Sequence, residues 1–174
     1  MKILIADDEL VSRKLMERIL TGYGECEAVE SGTATLEAFK TAGENHKPFD
    51  LITLDISMPD MSGLDVLFQI RAMEKQKEVP ADKRTVIIIV TASADKDTIV
   101  TAVQSGCNDY IAKPFDRDTL AKKLIKLGLV NPSETGSQKG ETSLLKKSAR
   151  VNDGSAAPPV RPEENVIVKA VKDV

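Results

Sequence analysis

The sequence has no tryptophan, only two cysteines and a single histidine in 174 residues. Cys26 and Cys107 are too few for a disulfide framework, and their spacing matches no metal-binding motif. We interpret both as small apolar residues of the protein interior, where free cysteines are commonly found. His46 stands in a polar segment without a second metal-binding side chain nearby, so we expect it to be solvated. These shortages exclude disulfide-stabilised scaffolds and cysteine–histidine zinc sites.

Long apolar runs and an excess of basic residues are also missing. No run approaches the roughly 20 residues that span a bilayer, and Met1-Lys2 leads into a short apolar stretch that ends at Asp7-Asp8, unlike a signal peptide. The 24 Lys and Arg residues face 27 Asp and Glu residues, a net charge of −3. Nucleic-acid-binding surfaces usually carry the opposite sign. We therefore expect a cytoplasmic protein with no direct nucleic-acid partner and no membrane insertion.

The aromatic residues and the prolines divide the chain. All six aromatics lie in the first 115 residues, whereas half of the eight prolines follow Val130. Residues 1–129 are therefore expected to form one domain and 130–174 a low-complexity tail, rich in Ser, Gly, Pro, Lys and Glu, that is mostly disordered. Within the tail, residues 165–172 are β-branched and resemble a docking segment, able to add a strand to a sheet edge or to fill a groove.

Short, continuous apolar runs indicate strands buried on both faces, as in a parallel sheet covered by helices. The segment 25–30 alternates between polar and apolar residues instead, as an edge strand does. The predicted strands are 3–6, 25–30 (the edge strand), 51–54, 86–90 and 110–112.

Between the strands the apolar residues recur at the spacing of a helix. In the first helix this places Val11, Leu15 and Ile19 on the core face. The charged segment 74–84 is interpreted as an extended, exposed loop. Helix starts are predicted at Ser31, Asp95 and Asp116, and helix ends at Gly22, Gly43, Gly106 and Gly128.

Strands that alternate with helices, joined by right-handed crossovers, predict an α/β fold: a doubly wound, five-stranded parallel sheet with helices on both faces. The expected strand order is 2-1-3-4-5. Ligands of such sheets bind beyond the carboxyl ends of the strands. The residues at those ends are therefore the place to look for function.

Four of the strands end in polar residues that would meet at one edge. They are Asp7-Asp8 after the first strand, Asp55 after the third, Thr91 after the fourth and Lys113 after the fifth. Any one of them alone could be a turn former or a helix cap. Their coincidence on four strands of one sheet favours a shared site.

The chemistry of this set is that of phosphoryl transfer. Carboxylates packed together repel one another unless a cation neutralises them, and oxygen ligands of this kind suit Mg²⁺. A carboxylate beside the ion can attack phosphorus and become an acyl phosphate. Asp55 is central and is the predicted nucleophile, while Lys113 and Thr91 would stabilise the phosphoryl oxygens.

At this point the chain resembles the receiver domain of bacterial two-component response regulators, of the single-domain, chemotaxis-regulator type, over residues 1–128. The resemblance implies the flavodoxin-like receiver fold. The matching segments are Ile3-Leu4-Ile5-Ala6-Asp7-Asp8-Glu9, Asp55-Ile56-Ser57-Met58-Pro59-Asp60-Met61-Ser62-Gly63, Val90-Thr91-Ala92 and Tyr110-Ile111-Ala112-Lys113-Pro114-Phe115.

The resemblance implies a role for each position. Asp55 would accept a phosphoryl group from a histidine kinase or phosphotransfer protein. Mg²⁺ would be held by Asp8 directly, by Asp7 through water, by Asp55 and by the backbone carbonyl of Ser57. Lys113 would bind the phosphoryl group, with Pro114 following a cis peptide bond.

The resemblance also implies a switch. Thr91 would move to the phosphoryl group and Tyr110 would rotate inward, which changes the surface of the fourth helix, fifth strand and fifth helix for a downstream protein. Ser57 and Ser93 flank the site and are small, so we expect an acyl phosphate of intermediate lifetime. The resemblance leaves homodimer formation through the same surface open.

Three alternatives stay open on the sequence. The chain could be a receiver fragment of a larger regulator that lacks its output domain. A Mg²⁺-dependent aspartyl phosphatase would need an acid–base aspartate two residues after its nucleophile, where this chain has Ser57. An interaction module without phosphorylation would have no use for the acidic cluster. We therefore expect no enzyme activity beyond self-phosphorylation from a phosphodonor and autodephosphorylation.

Overall fold

Strands and helices alternate along the chain in the computed structural model, which describes residues 1–92 and 95–132. The strands coincide with the apolar runs and the helices with the segments of helical spacing. Each strand begins and ends within two residues of its predicted position. The elements are β1 (Lys2–Ala6), α1 (Leu10–Leu20), β2 (Glu25–Val29), α2 (Gly32–Glu44), β3 (Leu51–Asp55), α3 (Gly63–Gln76), β4 (Val86–Thr91), α4 (Lys96–Gln104), β5 (Asp109–Ala112) and α5 (Arg117–Lys126).

The strands form one parallel sheet in the order β2-β1-β3-β4-β5, as predicted. Its register places Ala6 opposite Leu54, and Asp55 opposite Val90. Thr91 pairs with Ala112, the residue before Lys113. The carboxyl ends of β1, β3, β4 and β5 therefore lie side by side.

Alternate residues of each strand feed two hydrophobic cores. One core packs the sheet against α2, α3 and α4 through side chains such as Leu36, Leu67 and Ala102. The other packs it against α1 and α5 through side chains such as Met16 and Leu120. Both faces of the sheet are thus covered, which explains why β1, β3 and β4 are almost uniformly apolar.

The first helix is rotated relative to the prediction. Val11 and Leu15 were expected in the core, but their side chains are 75% and 42% exposed. The buried face consists of Ser12, Met16, Ile19 and Leu20. A stripe at strict four-residue spacing drifts around a helix of 3.6 residues per turn, and Ser12 turns inward because its hydroxyl hydrogen-bonds to Asp7.

Helix caps agree with the sequence at three starts and two ends. The side chains of Ser31, Asp95 and Asp116 each accept a hydrogen bond from a backbone amide of the first turn. Gly106 and Gly128 have the positive φ angles typical of a helix end. Gly43 lies inside α2, and His46, which is exposed, adopts the positive φ after that helix. Gly22 shows no positive φ either.

The segment 74–84 is not an extended, exposed loop. α3 continues to Gln76, a short 3-10 turn covers Ala81–Lys83, and Glu74 is only 3% exposed. The carboxylate of Glu74 accepts hydrogen bonds from the guanidinium of Arg71 and from the backbone N–H of Thr85. The charge of Glu74 suggested a surface position. The sequence does not show that the backbone of Thr85, beyond the end of α3, supplies a partner for a buried carboxylate.

The two cysteines are half-buried, each packed against one of the two cores. Burial raises the pKa of the Cys107 thiol to about 11, and burial also raises that of Cys26. Both thiols are therefore protonated near neutral pH and behave as apolar residues, in line with the sequence interpretation.

The predicted tail lies outside the described residues from position 133 onward, and this includes its segment 165–172. Ser93, beside the predicted site, also lies outside them. Among the residues that the structure describes, no helix has the length and apolar character required to span a membrane.

Candidate phosphoryl-accepting site

Three carboxylates converge at the carboxyl edge of the sheet. Asp7 and Asp8 follow β1, and Asp55 is the last residue of β3. One oxygen of each carboxylate lies within 4.8 Å of the others. Asp7 and Asp55 are 3% and 4% exposed, whereas Asp8 is open to solvent. The site is thus an acidic cluster of two buried carboxylates and one exposed carboxylate.

Lys113 bridges the two buried carboxylates. Its ammonium nitrogen lies 2.6 Å from Oδ2 of Asp55 and 2.9 Å from Oδ2 of Asp7. Burial opposes the charged form of this lysine, but the hydrogen bonds and negative charges of Asp55 and Asp7 outweigh it and raise the pKa of Lys113. One fixed positive charge therefore stands directly beside the predicted nucleophile.

The backbone places Lys113 in that position. Its N–H donates to the carbonyl of Thr91 over 2.7 Å, which continues the pairing of β5 with β4 beyond the last strand residue. The peptide bond between Lys113 and Pro114 is cis, as the resemblance implied. The lysine side chain reaches the carboxylates that follow β1 and end β3.

The first turn of α1 supplies partners that sequence reasoning missed. Ser12 donates its hydroxyl to Oδ2 of Asp7 over 2.6 Å, and the N–H of Glu9 donates to Oδ1 over 3.0 Å. The guanidinium of Arg13 donates to the carbonyls of Asp7 and Asp8. These bonds fix the Asp7 carboxylate and the backbone around it. The available signal was a serine on the helix face that faces the sheet.

The loop after β3 folds back over Asp55. The N–H of Ser57 donates to Oδ1 of Asp55 over 3.2 Å, and the N–H of Gly63 donates to the carbonyl of Ile56 over 2.9 Å. A Cβ atom at Gly63 would collide with the carbonyl oxygen of Asp55. Glycine at this position therefore lets α3 begin directly against the end of β3.

Thr91 and Tyr110 occupy neighbouring strands near the site. Thr91 ends β4 and is 3% exposed. Tyr110 lies on β5, half-buried against the core that contains Ala102 of α4. The ammonium of Lys123 on α5 lies 5.2 Å from the centre of the Tyr110 ring. The predicted switch residues thus lie on adjacent strands, Thr91 at the carboxyl end of β4 and Tyr110 on β5 next to Lys123 of α5.

The donor set fits Mg²⁺. It offers only oxygen ligands, three carboxylates that would repel one another without a cation, and an exposed member through which an ion can enter. Asp7, Asp8, Asp55 and the carbonyl of Ser57 are the residues that would hold the ion. Such an ion neutralises carboxylate charge and that of phosphoryl oxygens bound next to it.

Comparison with known proteins places this arrangement in a family. The model of the response regulator receiver domain matches residues 3–125. The chain is 36% identical over 129 residues to chemotaxis protein CheY-3 of Vibrio cholerae, which covers 73% of this chain and 91% of that protein. It is 35% identical over 129 residues to chemotaxis protein CheY of Pseudomonas aeruginosa, covering 73% of this chain and 95% of the relative.

Solved structures give the same result. The CheX-CheY-BeF3-Mg²⁺ complex from Borrelia burgdorferi contains a chain with a TM-score of 0.63 and 25% identity, covering 75% of this chain and 90% of that one. The receiver domain of the histidine kinase CKI1 from Arabidopsis thaliana, solved with Mg²⁺ and BeF3⁻, has a TM-score of 0.61 and 27% identity, covering 72% and 89%.

Proposed function

The chain belongs to the response regulator receiver domain family, and from this premise we propose that Asp55 accepts the phosphoryl group and that its phosphorylation changes the surface offered to a protein target. Members of the family are phospho-accepting signalling proteins rather than conventional enzymes. The observation that carries the assignment of Asp55 is its position: a buried carboxylate at the end of the central strand, 2.6 Å from the Lys113 ammonium and grouped with Asp7 and Asp8.

The proposed reaction is a transfer of one phosphoryl group to Asp55. A carboxylate oxygen of Asp55 forms a bond to phosphorus while the bond between phosphorus and the donor's leaving group breaks, and the leaving group takes the electron pair. Lys113 already contacts Asp55 and would stabilise the phosphoryl oxygens, as would the hydroxyl of Thr91. Asp7, Asp8 and the Ser57 carbonyl would hold the Mg²⁺ that the site requires.

We propose that a histidine kinase or phosphotransfer protein is the donor. Three of the four large apolar side chains that stay exposed within the described residues belong to α1: Leu10, Val11 and Leu15. Leu10 lies two residues after Asp8, so this exposed apolar patch begins close in the chain to the acidic cluster. An exposed apolar patch beside the reaction centre is typical of a protein-docking surface.

The switch would act through Thr91 and Tyr110. Phosphorylation brings close to two negative charges to the end of β3, which gives the Thr91 hydroxyl a new hydrogen-bond acceptor. Space released around β4 would admit the Tyr110 ring, which now stands near Lys123 at the surface. A downstream protein would then bind to the surface formed by α4, β5 and α5. A second copy of this chain is the alternative partner for the same surface.

Turnover would be limited to self-phosphorylation from a phosphodonor and to loss of the group by hydrolysis. Ser57 is exposed beside Asp55 and has a short side chain, so it would neither shield the acyl phosphate from water nor supply a base. A lifetime between the extremes is expected, and decay over many hours would contradict it. We place this activity in the cytoplasm.

The test is phosphorylation by a small-molecule donor. Wild-type protein incubated with acetyl phosphate or phosphoramidate and Mg²⁺ should gain the mass of one phosphoryl group, whereas Asp55→Asn and a chelator-treated sample should not. Asp65→Asn, an exposed residue on α3, is the matched control and should be labelled like wild type. Absence of labelling in wild type, or equal labelling of Asp55→Asn, would refute the assignment.

A further inference from the structure

The side chain of Asp60 hydrogen-bonds the loop between β3 and α3 to the start of α2. Its Oδ1 accepts a hydrogen bond from the backbone N–H of Gly32 over 2.9 Å, and its Oδ2 accepts one from the N–H of Thr33 over 2.8 Å. Asp60 is 28 residues away from Gly32 in the sequence. The contact therefore links the loop after β3 to α2, two parts of the chain that are far apart in sequence.

The chemistry of this contact is that of a helix cap supplied from outside the helix. The first amides of a helix have no acceptor within it and carry partial positive charge. In α2 the Ser31 hydroxyl accepts only from the N–H of Ala34, which leaves the Gly32 and Thr33 amides to Asp60. Hydrogen bonds from Thr33 and Gly32 lower the pKa of Asp60, so its carboxylate is charged at neutral pH.

A second residue of the loop packs on the same helix start. A Cβ atom at Gly32 would lie 2.8 Å from Cβ of Met61 and 2.9 Å from a methyl group of Val66. Only glycine leaves room for the loop at this distance. Asp60 and Met61 together hold the middle of the loop against α2.

The opposite end of the same loop forms part of the phosphoryl-accepting site. Ser57 donates its N–H to Asp55, and its carbonyl is the one backbone ligand proposed for Mg²⁺. Within the loop, short hydrogen bonds to the carbonyl of Ile56 come from Met58 and Gly63. Among the described residues, the two hydrogen bonds that the Asp60 carboxylate accepts from α2 are the only side-chain hydrogen bonds that join this loop to a helix earlier in the chain.

We infer that Asp60 is a positioning residue for the proposed phosphorylation: by bonding to the start of α2, it fixes the loop that carries the Ser57 carbonyl beside Asp55. The inference rests on the proposed function and adds a residue to it. Without Asp60 the loop would be less well fixed before the ion binds. The free energy needed to order the loop would then weaken the binding of Mg²⁺. A residue that only capped α2 would affect stability and leave Mg²⁺ binding unchanged.

The experiment compares two variants of the full chain that weaken the same helix start. Asp60→Ala removes the two hydrogen bonds between the loop and α2. Ser31→Ala removes the helix's own cap and keeps those two bonds. Calorimetric titration with Mg²⁺ gives the dissociation constant of each. We expect Asp60→Ala to raise it by about tenfold, the low end for residues that support metal ligands, and Ser31→Ala to change it less than twofold, although both lower the unfolding midpoint.

Asp60→Asn provides the graded variant, because its amide oxygen can accept one of the two hydrogen bonds. Its dissociation constant should lie between those of wild type and Asp60→Ala, and it replaces Asp60→Ala if circular dichroism shows that variant to be unfolded. A Mg²⁺ affinity of the Asp60 variants within twofold of wild type would overturn the inference. An equal loss in Ser31→Ala would overturn it too, since the effect would then belong to α2.

Failure of the proposed function has a different signature. Wild-type protein that binds Mg²⁺ but gains no phosphoryl group from phosphoramidate would refute phosphorylation of Asp55, while the titrations would still decide whether Asp60 positions the loop. Wild-type protein that binds no Mg²⁺ would overturn the inference itself.

Discussion

Replacing Glu74 with alanine should destabilise the domain strongly, although the sequence suggests a surface residue. Glu74 is 3% exposed, and its two oxygens have different partners: Oε2 lies 2.6 Å from the Arg71 guanidinium, and Oε1 accepts the backbone N–H of Thr85 over 2.8 Å. Alanine removes both acceptors at once. The buried amide of Thr85 and the nearly buried guanidinium would lose their partner in an environment that water reaches poorly.

The magnitude follows from what remains. Breaking a buried ion pair by removing one partner costs about 3–5 kcal/mol. Arg71 keeps hydrogen bonds to the carbonyls of Gly106 and Thr85 and to the side chain of Asn108, and it is 15% exposed. We therefore expect the lower end, about 3 kcal/mol. Glu74→Gln keeps an acceptor for Thr85 but loses the charge, so about 1–2 kcal/mol is expected.

Urea unfolding followed by circular dichroism measures this directly. The control is Lys75→Ala, the adjacent exposed residue of α3, which should change the free energy of unfolding by less than about 0.5 kcal/mol. Phosphorylation of Asp55 by phosphoramidate should be unchanged in folded Glu74→Ala, because the network lies at the opposite edge of the sheet. A loss below about 0.5 kcal/mol for Glu74→Ala, with an unchanged urea dependence, would refute the reasoning.

Two further predictions concern other buried polar groups. The hydroxyl of Thr53 is buried without a hydrogen-bond partner among the described residues, so Thr53→Val should stabilise the domain by about 1 kcal/mol in the same urea assay. Thr35→Val is the control: the hydroxyl of Thr35 donates to the carbonyl of Ser31, so its loss should destabilise the domain. A loss of stability in Thr53→Val would contradict the prediction. Asp109 is buried, but its bonds to Lys123, to the Tyr110 amide and to Lys126 outweigh that burial and lower its pKa. Because the folded form holds the proton less tightly than the unfolded chain, Asp109 stabilises the fold above about pH 4, and this contribution disappears as the pH falls through the lowered pKa. The difference in unfolding free energy between wild type and Asp109→Asn should therefore be large at pH 7 and shrink towards pH 3. A difference that does not depend on pH would contradict the prediction.

The positions of the polar residues at the carboxyl edge of the sheet could be predicted because the relevant information was local. Each of Asp55, Thr91 and Lys113 stands at the end of an apolar run or next to it, so locating the strands also located these side chains at one edge. The parallel order of the sheet then required them to meet. Their roles in phosphoryl transfer still stand as the proposals made above.

Prediction failed where a side chain's surroundings come from distant parts of the chain. The apolar residues of α1 suggested a core face that includes Val11, but Ser12 faces inward because the Asp7 carboxylate accepts its hydrogen bond. Charge suggested exposure for Glu74, yet Thr85 lies eleven residues later and buries it. Periodicity counts apolar residues and cannot register a polar partner that folding supplies.

The sequence by itself determined the alternation of strands and helices, the order of the parallel sheet and the set of polar residues at its carboxyl edge. These features depend on short-range patterns and on the restricted handedness of the connections between parallel strands. Only the tertiary structure decided that Lys113 bridges two buried carboxylates and that Asp60 fastens the Asp55 loop to α2. Such contacts need positions accurate to a fraction of an ångström between residues far apart in the chain, and packing of the whole domain sets those positions.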